Sequence, residues 1–282
     1  MLFITIISIL LNLKTLFHPY QPKVVYVEGL YNINDLSYDK KDYLKNLYEN
    51  YPLMIIKNIH NSTPNNIIPL LSSLDNNSLH SDFNYEIYKM SNNYEWNTDI
   101  LTSSISSFYI LKEPNIGGGL EFISTEKIYE DLNNYEKIAA QNMLINYKNF
   151  KLPLILDSSK ILLFPSLFCN VSGWTLKESN TWMKYFMYNK VLPNRFTIDL
   201  KKNDLCIINN KKFIYSFTPY SKYLSNKGFL LKSSIFSNNI LKRRKSNNDD
   251  IYSAINSAFD SKWVSSRSSS FSSFKNNFEF NI

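Results

Sequence analysis

Groups able to do chemistry are scarce in this chain of 282 residues. Its three histidines, His18, His60 and His80, limit any mechanism built on imidazole ligands or bases. Cys169 and Cys206 sit in apolar runs and read as buried thiols, with neither a disulfide framework nor a zinc pattern. His80-Ser81-Asp82 is a His-x-Asp, one imidazole and one carboxylate at short spacing. Two richer regions lie over a hundred residues apart. The first is Trp96-Asn97-Thr98-Asp99, followed by Pro114-Asn115-Ile116-Gly117-Gly118-Gly119-Leu120-Glu121-Phe122. The second is Asp204-Leu205-Cys206-Ile207-Ile208-Asn209-Asn210, then Tyr215, then Pro219-Tyr220. Asp99 offers a carboxylate, which alone suits hard cations or a hydrogen-bonding role. Tyr215 offers a phenol with an ordinary pKa of about 10.

Short strands with a few helices must position these residues. Residues 24–27, β-branched and aromatic, read as a strand, and 53–56 as a short buried one. Tyr43, Leu44, Leu47 and Tyr48 recur at helical spacing within 39–50. Residues 61–78 read as a loop and a helix. Residues 107–111 make a strand that ends at Pro114, and the glycines 117–119 permit a tight turn. Ser124 caps a helix over 125–132, and 134–147 read as another helix. Beyond Leu152 the pattern is mainly strands, over 154–156, 161–164, 196–198, 205–208, 213–215 and 229–236, with one helix over 176–190. The expected fold is mainly β with flanking helices, an α+β arrangement around a jelly-roll sheet pair.

Apolar residues make up 44% of the chain, enough for a sizeable core. Net charge is +7, of which residues 237–282 carry +3 from seven Lys/Arg and four Asp/Glu. So mild a balance is no nucleic-acid signature. Residues 1–22 form an apolar N-terminal segment, and 2–11 are too short to span a bilayer alone. They are similar to the apolar region of a signal peptide, but no basic residue precedes them and no small-x-small site follows. A leader or anchor and an apolar element packed on the domain both stay open, and so do a secretory and a cytoplasmic location. Asn61, Asn76 and Asn170 head glycosylation sequons, which an Asn-rich chain produces by chance. Residues 237–282 are Ser/Asn/Lys-rich, include the basic cluster Leu241 to Ser246, and are expected to be disordered.

In their order and spacing the two regions resemble the halves of the active site of the TauD/TfdA-type dioxygenases. These enzymes use Fe(II) and 2-oxoglutarate. The likeness covers residues 23–236, which are expected to form one double-stranded β-helix domain. The family's Trp-His-x-Asp is matched by Trp96-Asn97-Thr98-Asp99. The strand, Pro and Gly-Gly, and then a helix with a Tyr-x-x-Leu end, are matched from Phe108 through Ile128-Tyr129-Glu130-Asp131-Leu132. Pro153 to Phe168 is similar to the family's next segment. Its Gly-Asp-Leu-x-x-x-Asp-Asn strand, with a His after it, is matched by Asn203-Asp204-Leu205 to Asn209-Asn210 and Tyr215. Pro219-Tyr220 resembles the syringomycin-biosynthesis branch.

The resemblance implies a metal held by two imidazoles and a carboxylate, with open positions for 2-oxoglutarate and O₂. This chain departs from it. Asn97 and Tyr215 stand at the two His positions, and Asp99 keeps the carboxylate. Leu120 stands where a Thr helps to hold 2-oxoglutarate. Lys232 stands where an Arg clamps its distal carboxylate, keeping the charge without the planar fork. The substrate-anion Arg of taurine-type enzymes falls near Gly228. His80 lies 37 residues before Gly117, beyond the family spacing, whereas Asn97 lies 20 before it. The expectation is a pseudoenzyme with a binding or regulatory role. The alternatives are an active 2-oxoglutarate-dependent oxidoreductase with atypical ligands acting on a small acid, and a secreted or surface interaction protein.

Overall fold

The computed structural model describes residues 12–75, 83–89, 96, 103–113, 119–147, 150–156, 161–162, 170–218 and 229–235. The 237–282 tail, His80 and the sequon at Asn76 lie outside them. The chain divides into two compact units, Met1–Phe122 with Phe196–Asn238, and Ile123–Arg195 with Asn239–Ile282. In chain order the elements are β1 (Lys14–Phe17), β2 (Val24–Glu28), α1 (Tyr38–Asn50), β3 (Leu53–Ile56), α2 (Pro64–Leu74), β4 (Phe83–Lys89), β5 (Ile105–Lys112) and β6 (Leu120–Ser124). Next come α3 (Thr125–Glu130), α4 (Asn134–Asn142), β7 (Leu144–Tyr147), β8 (Phe150–Pro153), β9 (Ile155–Leu156), β10 (Ile161–Leu162), β11 (Asn170–Val171) and α5 (Leu176–Phe186). The last are β12 (Arg195–Ile198), β13 (Leu205–Asn209), β14 (Phe213–Phe217) and β15 (Phe229–Ile235).

The first unit is built on a seven-stranded sheet in the order β1-β2-β3-β13-β5-β15-β4 and a three-stranded sheet in the order β12-β6-β14. Only β2 and β3 are parallel in the larger sheet, joined through the crossover helix α1. Its central strands are buried on both faces, and alternation decides which side chain goes where. Met54, Ile56, Ile105, Tyr109, Leu205, Ile207, Leu231 and Ile235 pack with α1 and α2, through Leu44, Leu47, Ile67 and Leu71. Leu53, Ile55, Phe108, Ile110, Cys206, Ile208 and Leu230 face the smaller sheet, meeting Leu120, Phe122, Ile198, Phe213, Tyr215 and Phe217. This is the jelly-roll sheet pair with flanking helices. Each such buried aliphatic or aromatic side chain contributes roughly 1.5–3 kcal/mol.

Local signals fix the helix ends. Ser37 Oγ accepts from Lys40 N–H at 3.3 Å to start α1, and Pro52 follows its last turn. Pro64 opens α2, where the absent N–H costs nothing. In the second unit Ser124 Oγ caps α3 through Lys127 N–H at 3.3 Å. α4 starts with a capping box between Asn133 and Glu136, and α5 with one between Thr175 and Glu178. β7 lies between β8 and β11, and β9 pairs with β10. α5 continues into a π-helical turn over Met187–Val191, whose Lys190 pairs with Glu136 at 2.9 Å. Among the described residues no helix is long and apolar enough to cross a membrane.

One expectation needs correction. The helix predicted over 134–147 stops at Asn142, and Leu144–Tyr147 is strand. Leu144 and Ile145 pair with Pro153 and Leu152, so ladder pairing outweighs the helical spacing that continues past Asn142. The strands Lys14–Phe17, Phe83–Lys89 and Leu120–Ser124 were not expected from sequence.

Candidate functional site

The Asp204 region is built from a turn. Asp204 N–H donates to Lys201 C=O at 3.0 Å, and Asn203 has a φ of 69°. That left-handed conformation favours Gly or Asn, and Asn203 stands where the resembling motif has Gly. Tyr109 OH donates to Asn203 Oδ1 at 3.1 Å, and Asn203 Nδ2 lies 3.1 Å from His60 Nδ1. His60 thus holds the turn. Burial raises the Tyr109 phenol above its ordinary pKa. Buried Asp204 accepts from Lys57 Nζ at 2.7 Å, Asn58 N–H at 3.1 Å and Lys201 N–H at 2.9 Å. Its charge is spent on these partners, so this carboxylate has a structural role. At the other end of β13, buried Asn210 Nδ2 donates to Ser103 C=O at 3.1 Å and Ser106 Oγ at 2.9 Å. Asn210 ties the hairpin after β13 to the start of β5. Cys206 lies between these anchors, fully buried, and burial pushes its thiol far above its ordinary pKa.

Between the sheets lies the region that the resemblance assigns to metal and cosubstrate. Tyr215 lies on β14 with only 2% of its surface exposed. Its ring meets Phe108 edge-on, centroids 4.8 Å apart at 62°, and Phe217 at 6.2 Å and 83°. Phe108 and Phe217 are themselves 6.2 Å apart. Lys232, on β15 opposite Phe108, is half-buried and carries its Nζ 5.6 Å from the centre of the Tyr215 ring. Leu120 at the start of β6 is buried in the same inter-sheet core. Tyr215 and Lys232 therefore meet, with Leu120 in the core they share. Trp96 is buried, whereas Asn97, Asp99 and Gly228 lie outside the described residues. Among the described residues no three His, Cys, Asp or Glu gather as a metal site.

Sequence reasoning missed Phe108 and Phe217 as parts of this interior. The signal was present: Phe213, Tyr215 and Phe217 alternate, which puts three rings on one face of β14.

The Tyr215 ring is packed among aromatic rings with the Lys232 ammonium over its face. The Leu120 side chain has no hydrogen-bonding group, and Lys232 carries a point charge on a flexible stem.

No family model matches the chain, and no curated protein does. Solved structures do. A taurine dioxygenase from Burkholderia xenovorans superposes with a TM-score of 0.64 at 10% identity, over 80% of this chain and 91% of that one. AAD-2, in complex with Mn(II) and N-oxalylglycine, gives 0.65 at 11% identity, over 80% and 98%. PvcB from Pseudomonas aeruginosa gives 0.57 at 14% identity, over 79% and 90%. PvcB is described as an Fe, alpha-ketoglutarate dependent oxygenase from an isonitrile synthetic pathway. At such identities the likeness is one of fold, and the fold of this chain is that of the TauD/TfdA-type dioxygenases.

Proposed function

We propose that this chain is a catalytically degenerate form of the dioxygenase fold, a pseudoenzyme whose sheet pair serves a binding or regulatory role. One observation carries this reading: Tyr215, which the resemblance sets at the position of a metal-binding imidazole, is buried against Phe108 beneath the ammonium of Lys232. An iron ligand must present a lone pair to an open position. A ring packed by its neighbours in a hydrophobic core is held for packing instead. Loss of neutral imidazoles also removes most of the affinity for Fe(II), since Asp99 alone suits harder cations. Lys232 keeps a positive charge, which favours a small acid as the ligand class.

Metal analysis of the purified chain, with a 2-oxoglutarate titration, tests the reading. The expected result is no stoichiometric iron and no succinate or CO₂ released from 2-oxoglutarate. The double substitution Asn97→His with Tyr215→His is expected to restore metal affinity. Iron-dependent release of succinate and CO₂ by the wild-type chain, abolished by Asp99→Ala, would overturn it in favour of an oxygenase with atypical ligands.

A further inference from the structure

We propose that His18 is a pH-sensitive latch that closes the loop between β1 and β2 when neutral and releases it when protonated. Tyr20 N–H donates to His18 Nδ1 at 3.2 Å, so the closed loop requires that nitrogen as an acceptor. Around it, His18 N–H donates to Val24 C=O at 3.2 Å and Val24 N–H to Gln21 C=O at 3.0 Å. The imidazole stacks 6.1 Å from the Tyr26 ring at 22° and lies 6.2 Å from Phe196. The Tyr20 ring approaches it edge-on at 6.5 Å.

Protonation changes two things at once. Nδ1 becomes a donor facing the Tyr20 N–H, and a second cation arrives beside Tyr26. The first is Lys57, whose Nζ lies 5.6 Å from the Tyr26 ring centre and is paired with Asp204 at 2.7 Å. Phe196 brings no charge, and within the loop Lys23 adds only another exposed cation. The remaining charges of the hairpin, Lys14 and Glu28, pair with each other at 3.2 Å. No carboxylate among these groups is left to welcome an imidazolium.

Burial lowers the His18 pKa, in agreement with a loop that holds the neutral ring. The closed loop therefore binds fewer protons than the open one. Its stability is complete above the ordinary His value of about 6.5 and falls as pH drops through that value toward the lowered one. Opening uncovers Tyr26 and Phe196, which pack against the inter-sheet core, so acid presents an aromatic surface.

The test is an NMR titration of the ¹⁵N-labelled full chain from about pH 8 to about pH 5. It follows the His18 ring nitrogens and the exchange protection of the Tyr20 amide. Wild type should show the Nε2–H tautomer at the upper end, and protection falling by up to about tenfold per pH unit through the His18 titration. His18→Asn keeps an acceptor for the amide two residues on without titrating, so its protection should stay high and flat. His18→Phe keeps the stack without the acceptor and should give low, flat protection. Flat protection in wild type while His18 titrates, or an unchanged pH dependence in both variants, overturns the proposal.

Discussion

Lys232 Nζ stands 5.6 Å from the centre of the Tyr215 ring while that ring makes an edge-to-face contact with Phe108, the residue opposite Lys232 in the sheet. The three side chains thus join the two sheets of the jelly roll. A double-mutant cycle of Lys232→Met with Tyr215→Leu should return a coupling of about 0.5–2 kcal/mol in denaturant unfolding. A coupling indistinguishable from zero would mean that the ammonium only passes near the ring.

Tyr215→Ala removes a buried ring from the inter-sheet core and should cost about 3–5 kcal/mol. Tyr215→Phe keeps the ring and its contacts with Phe108 and Phe217, and should cost far less. If the two variants unfold alike at equilibrium, the hydroxyl rather than the ring holds this position.

Asp204→Ala should destabilise the fold by about 3–5 kcal/mol, because it strands Lys57 beside two backbone donors that lose their acceptor. The measurement is the denaturant midpoint with the slope checked. Asn203→Gly should preserve the left-handed turn, whereas Asn203→Ala should cost about 1–2 kcal/mol. Equal losses in the two would show that the Tyr109 bond, not backbone strain, governs the site.

Cys206 should resist alkylation in the folded chain near neutral pH, since its thiolate is disfavoured by complete burial. Labelling followed by peptide mass spectrometry should find it modified only after denaturant is added. Modification at native conditions on a timescale faster than global unfolding would indicate local opening of β13.

Much of the frame was legible because it obeys short-range rules. Asp204 precedes an apolar run that could only be a buried strand, and Ser124 caps the helix assigned to it. Tyr43, Leu44, Leu47 and Tyr48 mark the buried side of α1. Other features depend on partners far away in sequence. Leu144 and Ile145 follow a helix without any Gly or Pro to end it, and only the ladder with β8 and β11 makes them strand. The aromatic filling around Tyr215 depends on Phe108, over a hundred positions earlier in the chain and unmarked by any local signal. Periodicity reports which face a residue takes, not which rings it will touch there.

The place of β13 has a kinetic consequence. It lies between β3 and β5 and pairs Leu205 with both Ile56 and Tyr109, while β15 in turn joins β5 to β4. A nascent chain that has delivered β1 to β5 therefore has the outer parts of the larger sheet without the strand between them. Its exposed edges must wait for residues made long afterwards. Pairings of such long sequence separation slow folding and leave strand edges open to other chains. Truncations ending before Leu205 should accumulate as aggregates, and full-length synthesis should depend on chaperones that shield β3 and β5 in the interval.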